Sequence, residues 1–171
     1  WEPIIFASYR LALFLLPAEL LNSSSPTQKV FSWLCLALIG ALITTNWDMM
    51  IDPFAVDHGW WVWPNGGSYM PSIDGGVPMS NFVGWFKVAF VCQFLIHLIY
   101  HKGAAPRRSI HLSVYGPIML YFLLFSAAFG VSVVFLQRPE ICLIGIMGMG
   151  TILLLAAIKA LLLKQGLEMS P

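Results

Sequence analysis

The chain has 171 residues, of which 58% are apolar and 10% charged, with a formal net charge of +1. Soluble domains run at about 45–50% apolar and about 25% charged, so this composition belongs to a membrane interior. A net charge so near zero excludes a basic field for nucleic acid and an acidic tail for cations.

A helix crossing the bilayer needs roughly 20 apolar residues, since about 30 Å of hydrocarbon is spanned at about 1.5 Å per residue. Taken in chain order, five stretches read as spans: residues 4–21, 30–50, 82–100, 110–136 and 141–163. The first holds Arg10, Pro17 and Glu19, which a surrounding bundle can shelter. Pro117, directly after Gly116, kinks or loosens the start of the fourth. Small residues four apart, Ala37 with Ala41 and Ser126 with Gly130, let helices approach closely in lipid, as do Gly145, Gly148 and Gly150. The expected fold is an all-α polytopic transmembrane bundle of about five spans, forming one domain. Cys35, Cys92 and Cys142 sit in separate apolar stretches, without the even count of a disulfide framework or the spacing of metal ligands. No basic–apolar–cleavage pattern marks a signal peptide in the sequence.

Orientation follows from basic residues in short loops. Lys102, Arg107 and Arg108 make the one clearly basic loop, which belongs in the cytoplasm, and threading outward from it puts Lys29 and Lys164 on the same side. Only Arg138, beside Glu140, is left opposite. The C-terminus is then cytoplasmic and a long loop, residues 51–81, lies on the other face of the cell membrane, periplasmic or extracellular.

That loop and its borders hold five of the seven tryptophans. Trp60, Trp61 and Trp63 suit an aromatic belt at the lipid–water boundary. The acids are harder to explain that way. Asp48 and Asp52 are four apart and share one face at the end of the second span, where Pro53 is expected to close the helix. Counting residues puts Arg10 and Lys87 at a similar depth, each within about 9 Å of its helix start. Two readings stand: a neutral lock of Asp48 and Asp52 with Arg10 and Lys87, or a proton-handling pocket in which neighbouring carboxyls take different roles. His97 and His101 read as polar residues near an interface, and four histidines in all are too few for a histidine-ligated di-iron centre. No metal site is expected, and no glycine-rich phosphate loop suggests a soluble cofactor.

The spaced set Trp47-Asp48, Asp52-Pro53, Val56, Gly59, Trp61, Trp63, Gly67, Tyr69, Gly76-Val77-Pro78, Asn81-Phe82 and Gly84-Trp85 resembles the membrane carotenoid hydratase family, of the γ-carotene and bisanhydrobacterioruberin hydratase type. The resemblance is dense over about 40 residues, and the flanking spans match only in hydropathy. Family members are longer, with further spans upstream, so the resemblance implies the C-terminal part of such a protein. They also pass almost directly from the tyrosine to Gly-Val-Pro, where this chain inserts residues 70–75. The resemblance implies hydration of a terminal carotenoid double bond. Asp48 and Asp52 would be the catalytic acids, and Trp47, Trp61, Trp63, Tyr69, Asn81 and Trp85 would bind substrate. The implied partners are carotenoid and lipid, with no cofactor. The alternative is a non-catalytic, carotenoid-binding structural subunit of a larger membrane complex, such as a photosynthetic one, with other membrane subunits as partners.

The basic loop generates a first prediction. A cysteine placed between Gly103 and Ala105 stays unmodified by an impermeant reagent added outside, whereas one at Asn65 reacts. Labelling at 103–105 from outside would reverse the topology.

Overall fold

The computed structural model describes residues 1–22, 25–60, 62–72, 75–102 and 110–164. Arg107, Arg108 and Trp61 lie outside them, as do the side chains of His101, Lys102 and Lys164. Among the described residues the chain is helical without strands, a polytopic all-α bundle. Its elements are α1 (Glu2–Leu15), α2 (Ala18–Leu21), α3 (Pro26–Asp57), α4 (Met79–Lys102), α5 (Ile110–Val131), α6 (Pro139–Gly145) and α7 (Thr151–Lys164). A π-helical turn, Ser132–Leu136, prolongs α5, and another, Ile146–Gly150, joins α6 to α7.

Four helices among the described residues are long and apolar enough to cross a membrane: Pro26–Asp57, Met79–Tyr100, Tyr115–Phe135 and Pro139–Leu163. The stretch 4–21, expected as a fifth span, is not one continuous helix. Proline disfavours helical geometry in the residue before it, and Leu16, ahead of Pro17, is extended at φ −67° and ψ 147°. The 14 residues of α1 reach about 21 Å, short of the roughly 30 Å hydrocarbon core.

Pro53 was expected to end the second span. The helix does not close there but runs on to Asp57, so the expected loop 51–81 contracts to residues 58–78. The stop lies at Gly59. Its φ of 64° is left-handed, and Trp60 and Gly59 donate their N–H groups back to the carbonyls of Ala55 and Val56. This is the Schellman arrangement, for which glycine carries no steric cost.

At the centre of the bundle, α3 packs against α1, α4, α5 and α6. On one side glycines bring helices close: a Cβ at Gly145 would collide with the side chain of Met50, and one at Gly148 would come within 3.0 Å of Asn46. Tyr121 is fully buried and donates to the Ile43 carbonyl at 3.1 Å. Lys159, inside the apolar α7, reaches the carbonyl of Leu16 at 3.2 Å and lies 5.6 Å above the Phe14 ring. A cation there complements the negative end of the α1 dipole.

The Gly145–Met50 contact yields a test. Gly145→Ala should destabilise the bundle by about 1–3 kcal/mol through overpacking. The same change in a Met50→Ala background should cost far less, because the colliding atoms are gone. Thermal unfolding in detergent reads both, and equal penalties in the two backgrounds would refute the contact.

Candidate functional site

The acids sit where α3, α4 and the loop meet. Asp48 and Asp52 are 0% and 1% exposed. One helical turn apart, they are close enough to act on each other electrostatically. Asn81, in the first turn of α4, donates its side-chain amide to Asp52 Oδ2. The Asp48 carboxyl meets no donor among the described residues, and its hydrogen-bonding neighbour is Asp52, with which it can share a proton. No group of three or more metal-ligating side chains occurs among the described residues.

The loop is built onto the end of α3. Proline at 53 has no N–H to donate to the carbonyl one turn back, that of Met49. The Tyr69 hydroxyl donates to that carbonyl instead, at 2.7 Å. Tyr69 is held in turn by a two-way backbone pairing with Val77, at 3.1 and 2.8 Å, and its ring meets Phe82 edge-on at 5.0 Å. Gly67 makes this pairing feasible, since a Cβ there would strike the backbone of Val77 and Pro78. Burial pushes the Tyr69 hydroxyl well above the usual phenol range, and the charges of Asp52 and Asp48 add to this, so the group stays a donor. The inserted segment is tied down as well: Arg138 donates to Ser72 Oγ at 3.1 Å and to its carbonyl at 3.0 Å.

Of the aromatic residues singled out in the sequence, Trp47 and Trp85 come together around Trp1. Trp1 stacks on Trp85 at 3.8 Å and meets Trp47 edge-on at 5.5 Å. Trp63 packs half-buried against the core, and its carbonyl accepts the N–H of Gly66. Lys87, which the lock reading pairs with these acids, is exposed. Phe82, Ala89 and Gln93 mark the buried line of α4, and Lys87 lies about 140° around the helix from Phe82. Arg10 is half-buried and makes no hydrogen bond to Asp48.

Sequence reasoning passed over Gln93 and Thr44. Gln93 is fully buried, donates to the Ile5 carbonyl at 3.1 Å and approaches Thr44 Oγ1 at 3.5 Å. The signal was available: Thr44, Asp48 and Asp52 repeat every four residues along one face of α3. A separate cleft of about 670 Å³, lined by Ile39, Asn46, Ile152 and Lys159 among others, lies on a different face of α3, as Asn46 is about 200° from Asp48.

A polar pair sealed inside an apolar bundle suits chemistry on a lipid-soluble substrate, and the comparisons agree with that setting. The model of the family described as carotenoid biosynthesis protein matches residues 1–153. The chain belongs to that family. It is a membrane protein of carotenoid biosynthesis. No curated protein and no solved structure matches it. The match spans α1 through the start of α7, and so includes the acid pair and the loop that covers it.

Tyr69→Phe tests the helix–loop bond. Losing the donor strands the Met49 carbonyl and should cost about 1–3 kcal/mol. Amide exchange at Ala55–Asp57 should rise with it. Unchanged exchange in that last turn would show that Tyr69 does not hold the helix past Pro53.

Proposed function

We propose that this carotenoid biosynthesis protein carries the acid site of a hydratase, which adds water to a terminal carbon–carbon double bond of a carotenoid. The carrying observation is the buried Asp48–Asp52 pair, with Asp52 oriented by Asn81 and Asp48 within hydrogen-bond reach of Asp52. Protonating a trisubstituted alkene at its less substituted carbon leaves a tertiary cation on the neighbour. Water captures that cation, loses a proton, and leaves a tertiary alcohol.

Two carboxyls one turn apart can close this cycle. Asp48 gives its proton to carbon, forming a C–H bond as the π pair is used. Asp52 accepts the proton released by the attacking water, and a transfer between the two acids restores the start. No oxidant or reductant is consumed. The cation would form near Tyr69 and Phe82, whose ring faces offer about 0.5–2 kcal/mol each by cation–π attraction. A long apolar substrate would reach the pair from the bilayer, past the aromatic cluster that Trp1 forms with Trp47 and Trp85 at that end of the bundle.

A non-catalytic, carotenoid-binding subunit of a larger membrane complex is the second reading. It is favoured by the wide apolar faces that α4 and α5 leave exposed at Val88, Val91, Leu95, Ile99, Phe122 and Leu123. On that reading this face meets other subunits, and the acids serve assembly.

Asparagine substitutions separate the two. Asp48→Asn and Asp52→Asn should each abolish hydroxylated carotenoid while the protein stays in the membrane, since a general acid or base is commonly worth about 10²–10⁴ in rate. Pigment extracts read this as accumulation of the unhydrated substrate. Normal hydroxylated pigment from both variants would refute the catalytic role. Loss of protein or of an associated complex, with the pigment ratio unchanged, would favour the structural reading.

A further inference from the structure

The buried side-chain polar atoms without a hydrogen-bond partner are not scattered through the bundle. Among the described residues they are Ser8 Oγ, Gln93 Oε1 and the two carboxyl oxygens of Asp48, which have only the acid of Asp52 to share a proton with. All belong to α1, α3 and α4, and none to α5, α6 or α7. Between them stand groups that are already paired. Gln93 bridges the Ile5 carbonyl and Thr44, which is one turn from Asp48. Beyond Gln93, the Tyr9 hydroxyl lies 3.1 Å from His97 Nδ1. From Asn81 to His97 the polar ladder extends about 24 Å along α4, most of the depth of a bilayer.

Orphaned polar atoms in a native interior are commonly satisfied by ordered water, and a water needs two to four polar partners. Asp48, Thr44, Gln93, Ser8, Tyr9 and His97 supply such partners in sequence along one three-helix seam. We propose that this seam holds a file of water molecules and delivers the hydrating water to Asp48 from the Tyr9–His97 end.

The inference rests on the hydratase reading for its purpose, and it solves a problem which that reading creates. The organic substrate arrives through lipid, while its co-substrate is water, which is scarce there. Asp48 is fully buried, and the folded loop closes the nearer face through Tyr69 and Phe82. A route from the opposite end brings in one water per turnover. The proton lent by Asp48 returns through Asp52, so the seam carries neutral water and no net charge.

Water-edited solid-state NMR on the chain in lipid bilayers tests this without turnover. Magnetisation from water protons should reach Ser8, the Gln93 side chain and the Asp48 carboxyl several-fold faster than Ala156 or Ala128, which are equally buried at 0% and 2% on α7 and α5. Transfer at the alanine rate would overturn the proposal. In Gln93→Leu, transfer to Asp48 should fall to the rate of Ala156 while transfer to Ser8 persists. Unaltered transfer at Asp48 would mean that water comes from the loop face, and the delivery route would fall. If Gln93→Leu does not assemble, the wild-type comparison alone decides. A dry seam in a protein that still yields hydroxylated carotenoid overturns this inference and spares the hydratase reading. A wet seam in a protein that yields none does the reverse.

Discussion

The arrangement depends on one hydrogen bond, from the Tyr69 hydroxyl to the carbonyl of Met49. Pro53 opens a gap in the α3 ladder within one turn of both acids, and a tyrosine from twenty residues further along fills it. That bond does two things at once. It lets the helix continue to its glycine stop at Gly59, and it fastens the loop over the turn that bears Asp52. With the loop fastened, α4 begins where its Asn81 can reach the carboxyl. The proline is thus less a terminator than a socket for the loop.

The bundle is divided in character about α3. Towards α6 and the following π-helical turn, contact is close and apolar, with Met50 against Gly145 and Asn46 against Gly148. Towards α1 and α4 the same helix presents Thr44, Asp48 and Asp52. In lipid no hydrophobic force drives helices together, so the first side coheres by surface fit and the second by hydrogen bonds. Polar groups on the second side gain from pairing with one another because hydrocarbon offers no substitute.

Much of this was legible beforehand. The all-helical membrane class came from composition, and the acid pair was visible in the spacing of Asp48 and Asp52. Membership in a carotenoid biosynthesis family was readable from the tryptophan-rich stretch. Depth along a helix could also be counted, but the side facing inward could not. The fourth helix is apolar almost all round, so nothing in its periodicity told that Lys87 faces outward while Gln93 faces inward. Pro53 misled for a related reason: local chemistry says that a proline strands a carbonyl, but only tertiary structure says what takes up that carbonyl. At Pro17 the preceding Leu16 is extended instead, and there the helix ends.

The bond between Lys159 and the Leu16 carbonyl joins residues 143 positions apart. At roughly 5–20 residues per second, a ribosome needs roughly 7–30 s to make the chain between them. During that interval α1 has its C-terminal end uncapped by its eventual partner. The lysine arrives near the end of the span Pro139–Leu163, where a cation still costs something to insert, though less than at the helix centre. Docking onto α1 offsets part of that cost at the moment α7 is laid in place. The contact thus ties the last described helix of the chain to its first.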